Sequence, residues 1–256
     1  MNNTITYEFP LNERFRVFIR LEQLFLQFIH FSAGTSMADK RAAIAVLLDI
    51  MSIFKRNDLK SEILKELSRQ ASVLNKMASS EGVDKAKLDV ILDQLGQLTK
   101  KIQLITGKIG DDIIDNALFK SIAQRSSIPG GTCSFDLPEY HYWLEQEASI
   151  CADDLRNWGK PFIEIHTAID FMLNFIRHSR SGKAETAITG FFQITLDKNQ
   201  PFQLIKVTLD NSLPYFAEIS GGKHRCNIRF METIGDNNRP TQSTKDIPFT
   251  LTCCLF

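Results

Sequence analysis

Apolar residues recur every three or four positions through the first two thirds of this chain and every second position in the last third. That change of period predicts helices first and strands last. After a short alternating stretch, Ile5 to Phe9, which reads as a strand, Leu11, Phe15, Phe18, Leu21, Phe25 and Phe28 make one broad apolar helix face. Arg16 and Arg20, four apart, are neighbours on the surface of that helix. Ser36 followed by Asp39 reads as a capping box opening a second helix through Ile44, Leu47, Met51 and Phe54. Arg56-Asn57-Asp58 ends that helix and caps the next. The series Leu64, Leu67, Ala71, Leu74, Ala78 and Leu88, Ile91, Leu95, Leu98, Ile102, Ile105 alternate threes and fours, the seam of coiled-coil-like packing. With the polar turn Ser79-Ser80-Glu81-Gly82 between them they predict an antiparallel helical hairpin, either two bundle helices or an arm against a second subunit.

A shorter helix is expected from Asp112 to Gln124, then a turn at Pro129-Gly130-Gly131, then helices from Pro138 to Glu147 and from Pro161 through Ile165, Ile169, Met172 and Ile176. Beyond Ser181, Ile188 to Leu196 alternate, Asp197-Lys198-Asn199-Gln200-Pro201 turns, and Ile205, Val207 and Leu209 alternate again, which predicts a hairpin. Strands Lys223 to Met231 and Ile247 to Leu255 follow, separated by the loop from Gly235 to Pro240. The expected architecture is α+β: a mostly helical domain over residues 11–180, with a turn or strand insertion near 128–137, and an antiparallel β domain formed by residues 1–10 with 181–256. The first strand, and with it Thr132 to Phe135, is expected to join the C-terminal sheet.

Composition narrows the function. The chain has 256 residues, 43% of them apolar, enough for a continuous core without a metal or disulfide staple. Thirty basic side chains cancel thirty acidic ones, so no global field draws nucleic acid or an anionic membrane, and any charge recognition is local. Five cysteines, an odd number with no secretory apolar segment before them, predict reduced thiols and a cytoplasmic protein. No apolar run approaches the ~20 residues that span a bilayer.

Catalytic chemistry is absent in any recognisable spacing, so neither an enzyme nor a metal or cofactor is expected. Pro129-Gly130-Gly131 lacks the phosphate-loop frame. Cys253 and Cys254, adjacent on a strand, point to opposite faces and read as packed thiols. His141 and His166 have no partner at ligand spacing, and Glu139, Glu145, Glu147, Asp153 and Asp154 read as a solvated face. What remains is basic. Strand periodicity puts Lys223, Arg225 and Arg229 on one face and Cys226, Ile228 and Phe230 on the other. Spacing alone leaves two uses open for that row. One is a charged edge that discourages strand addition; the other is a surface that recognises anions, with carboxylates or nucleic acid as ligand.

Two long phrases, Ser127-Ile128-Pro129-Gly130-Gly131-Thr132-Cys133-Ser134-Phe135-Asp136-Leu137-Pro138 and Ser220-Gly221-Gly222-Lys223-His224-Arg225-Cys226-Asn227-Ile228-Arg229-Phe230-Met231, together with the opening Tyr7-Glu8-Phe9-Pro10-Leu11-Asn12-Glu13 and the closing Cys253-Cys254, resemble the ZapD family nearly end to end. These are bacterial division proteins that bind and bundle the tubulin-like protein FtsZ. The resemblance implies a homodimer with a helical and a β domain, no catalytic residues, and a basic surface for the C-terminal tail of FtsZ. It carries over Arg56, Arg225 and Arg229 as ion-pairing residues, and adds Lys223, Arg16 and Arg20. It also implies a cytoplasmic protein concentrated at mid-cell, with neither membrane nor nucleic acid as partner. The competing reading is a nucleic-acid-binding module using the same cations. One departure stands out: where the family often has a basic helix, Ile109 to Gln124 here carries Asp111, Asp112 and Asp115 and a single cation, Lys120. The final Leu255-Phe256 has no account.

Overall fold

A computed structural model describes residues 3–56, 58–78, 84–222, 224–232 and 239–255, leaving aside the side chains of Asp112 and Ile114. Two compact units emerge, one of residues 1–18 with 173–256 and one of residues 19–172. The architecture is α+β, with antiparallel strands gathered from the C-terminal part of the chain and from its start.

The helical unit holds most of α1 (Glu13–Ser32), then α2 (Met37–Arg56), α3 (Leu59–Met77), α4 (Lys85–Leu104), α5 (Asp111–Ile114), α6 (Ala117–Arg125), α7 (Pro138–Leu144), α8 (Ala148–Gly159) and, after a 3-10 turn at Lys160–Phe162, the greater part of α9 (Ile163–Arg177). Local chemistry starts α2 and α3 where the sequence predicts. Ser36 and Asp39 close a capping box, Asp39 N–H donating to Ser36 Oγ at 3.1 Å and Ser36 N–H to Asp39 Oδ2 at 3.2 Å. Asp58 caps α3 through the amide of Ser61. Lys60, at the start of α3, donates to the carbonyls of Gln103 and Ile105 at the end of α4, so the two helices run antiparallel as a hairpin. The hairpin's turn at 79–82 lies outside the described residues.

Three helical expectations are corrected. The helix predicted over 112–124 is two, because the Asn116 side chain accepts from the amide of Phe119 at 2.9 Å and starts α6 afresh. The helix from Pro138 ends at Leu144, and the unpredicted α8 follows, burying Cys151, Leu155 and Trp158 at a four-three spacing. Thr132 to Phe135 forms turns, with no strand. The amides of Gly131, Cys133 and Asp136 donate to Ile128, Gly130 and Cys133, three residues back, which leaves them nothing for a ladder.

The β unit contains two antiparallel sheets. One has the order β1-β4-β8-β2, from β1 (Thr4–Pro10), β4 (Phe202–Asp210), β8 (Ile247–Leu255) and β2 (Lys183–Ala187). The other has the order β3-β6-β5, from β3 (Phe191–Thr195), β6 (Arg225–Glu232) and β5 (Tyr215–Gly221), with the short β7 (Thr241–Gln242) continuing beside β6 where β3 ends. Their inner faces share one core, including Ile205, Val207, Ile228, Phe230, Phe249 and Leu251. Phe249 of the first sheet meets Phe192 and Phe230 of the second at ring-centroid distances of 5.2 and 5.0 Å. As predicted, the first strand joins the C-terminal sheet, pairing with β4. The predicted hairpin between Ile188–Leu196 and Ile205–Leu209 does not form. β4 has β1 and β8 on its two sides, β3 pairs with β6, and the intervening segment carries the chain from one sheet to the other.

Candidate functional site

β6 is the middle strand of its sheet, and its alternation sorts the side chains cleanly. Cys226, Ile228 and Phe230 are fully buried, while Arg225 and Arg229 are exposed on the outer face. The charged-edge option for this row therefore falls, since β3 and β5 already flank the strand. Neither arginine makes an ion pair among the described residues. Arg229 stands between Phe191 of β3 and Glu218 of β5, both directly opposite it. Arg225 stands beside Thr195 on one side and, on the other, the turn in which the Gly222 amide donates to the Arg225 carbonyl at 3.0 Å. Gly221 shapes that turn with φ 152°, and a Cβ there would lie 2.4 Å from the Arg225 carbonyl oxygen. Lys223 lies outside the described residues.

Arg16 belongs to the β unit and spends its guanidinium on Glu13, one helical turn away, at 2.8 Å in an exposed pair. In the helical unit, Arg20 is exposed on α1 and has no ion pair among the described residues. Arg56 sits exposed in the last turn of α2, where a cation is favoured by the carbonyl end of the helix. It lines a groove of about 610 Å³ with Lys55, also of α2, and Lys120 of α6. Neither Lys55 nor Lys120 is among the site residues expected from the sequence, in which Lys120 stands as the single cation of an acidic segment. The acidic residues of that segment lie on and just after α5, whereas Lys120 sits on the separate helix α6. Asn116, the residue that divides them, was the available signal.

Asp153 and Asp154 have structural partners. Asp154 accepts from Trp143 Nε1 at 2.9 Å, and Asp153 pairs with Arg156 at 2.7 Å. The His166 ring packs tilted against Phe25, centroids 4.9 Å apart, in a cavity of about 310 Å³ lined also by Phe28, Leu47, Ile50 and Phe162; burial lowers its pKa. No carboxylate or thiol lines that cavity among the described residues. Burial raises the pKa of Cys226 and Cys253 and pushes that of Cys254 up to about 11, which leaves these thiols poor nucleophiles at neutral pH. No three potential metal ligands converge among the described residues, and no described helix is long and apolar enough to cross a membrane.

Comparison with known proteins supplies the context for this geometry. The sequence model of a cell division protein family, ZapD, matches residues 19–229. The chain belongs to the ZapD family. Relatives named cell division protein ZapD are 48% identical over 255 residues in Methylococcus capsulatus, covering 100% of both chains, and 35% identical over 252 residues in Chromobacterium violaceum, covering 98% of this chain and 100% of that one. A third, in Nitrosomonas europaea, is 37% identical over 250 residues, 98% of this chain and 95% of the relative. Membership supports a role in cell division.

Proposed function

We propose that this chain is a non-enzymatic division factor that takes up the acidic, partly apolar C-terminal tail of FtsZ on its basic surfaces and, as a homodimer, crosslinks and bundles FtsZ filaments at mid-cell. The observation that carries the reading is the outward pair Arg225 and Arg229 on the middle strand of a sheet, unpaired among the described residues and anchored from beneath by a dry core. A middle strand has no need of charges to ward off edge pairing, so the two cations are left for recognition. Arginine suits the task because its planar fork binds carboxylates in two parallel hydrogen bonds and stacks on apolar rings. Phe191 beside Arg229 adds the apolar contact that a mixed tail needs.

In the helical unit Arg56 with Lys55 and Lys120, and Arg20, are assigned to attraction and pairing with an FtsZ tail; Arg16 and Lys223 are assigned supporting roles. Two tail-binding surfaces in one dimer give bundling through multivalency, with no chemical step required. Reversing both charges, Arg225→Glu with Arg229→Glu, is expected to abolish filament bundling in light scattering while the protein keeps its dimer mass in sedimentation. Normal bundling by that variant removes the site assignment.

A further inference from the structure

Between Arg225 and Arg229 the outer face of β6 carries Asn227, and β3 places Gln193 directly opposite it. Gln193 Nε2 donates to Asn227 Oδ1 at 2.7 Å. A side-chain amide has a carbonyl acceptor and two N–H donors, so this one bond fixes the pair and leaves Gln193 Oε1 as a free acceptor beside the Asn227 Nδ2 donors. A donor and an acceptor side by side are the complement of the N–H and C=O of one residue in an extended chain, which point the same way. The main chain of β6 cannot serve a ligand, since its own amides and carbonyls are used by β3 and β5. A peptide lying on this face has to find side-chain partners for its backbone or leave them to water.

We infer that Gln193 and Asn227 read the main chain of an extended acidic peptide whose carboxylates, about four residues apart, engage Arg225 and Arg229. The spacing follows from strand geometry: at ~3.3 Å per residue the two arginines are about 13 Å apart, and an extended ligand covers that distance in the same number of residues. Its central residue then lies over the amide pair. The arrangement selects conformation as well as charge. A helical acidic segment has consumed its peptide groups internally, and a phosphate backbone has none to offer.

This inference rests on the tail-binding reading, and one experiment separates the two. Binding of a fluorescein-labelled peptide of the FtsZ C-terminal tail is followed by anisotropy, with a second set of peptides N-methylated at each backbone amide in turn. Asn227→Ala and Gln193→Ala are each expected to weaken binding about fivefold, the worth of one exchanged hydrogen bond. Asn227→Asp, equal in shape but without the donor and with an added negative charge between the arginines, weakens it further. One methylated position is expected to weaken wild-type binding by a similar factor and to cost nothing more in Gln193→Ala, since Gln193 Oε1 is the acceptor for the ligand N–H. Unchanged affinity in both alanine variants, or full additivity of methylation with Gln193→Ala at every position, overturns the inference while loss of binding in Arg225→Glu with Arg229→Glu keeps the tail-binding reading. Undiminished binding by that charge-reversed variant overturns both.

Discussion

Arg225 and Arg229 share a face but not a surrounding, and the difference has consequences. Glu218 directly opposite Arg229 lowers the local potential, whereas among the described residues Arg225 has Thr195 and a glycine turn beside it. Replacing Glu218 with Gln is expected to tighten tail binding roughly twofold through the on-rate, the scale of an exposed charge interaction, with the gain vanishing at high salt; a stopped-flow salt series checks it. His166 makes a separate prediction. Burial against Phe25 favours its neutral form, so the unfolded chain binds the proton first. Stability is therefore full above the usual histidine range and falls as the pH drops below it. Urea unfolding in a pH series is expected to show that loss, and His166→Leu to flatten the curve. At this scale the cations were legible, because alternation alone sorts Arg225 and Arg229 from Cys226, Ile228 and Phe230. Glu218, Gln193 and Phe191 were not, since a cross-strand neighbour is set by register that one strand's sequence does not contain.

Elements repeat the lesson. Helix starts were readable at Ser36 and Asp58, where a side chain makes the cap and the chemistry is local, though the same signal at Asn116 went unread. Strand existence was readable for β1, β6 and β8 from period two. Strand partnership was not, and the predicted hairpin failed because the segment between β3 and β4 changes sheets instead of reversing within one. Gly221 links element to site. Alanine there must move the Arg225 carbonyl or leave the glycine-favoured φ, so Gly221→Ala is expected to lower both the melting midpoint and tail affinity, while Gly222→Ala, with open space at its Cβ, leaves the midpoint nearly unchanged. In α3 the carboxylate of Glu66, fully buried, is held by Arg69 and by Gln70 Nε2 at 3.1 Å. Arg69→Ala is expected to destabilise by about 3 kcal/mol in chemical denaturation, more than replacing both residues with apolar ones, because it takes the counter-charge from a buried carboxylate.

For the molecule as a whole, zero net charge and local basic groups argue for recognition confined to particular faces, and family membership gives that recognition a setting in cell division. Bundling requires two such faces in one particle, so the account expects sedimentation at twice the chain mass of 29.1 kDa. The central claim is that the tail of FtsZ is the ligand of the basic surface. Co-sedimentation of this protein with GTP-assembled FtsZ, run beside FtsZ lacking its C-terminal tail, tests it most directly. The account predicts pelleting and bundling with the tailed form alone; equal pelleting with both forms, or with neither, contradicts it.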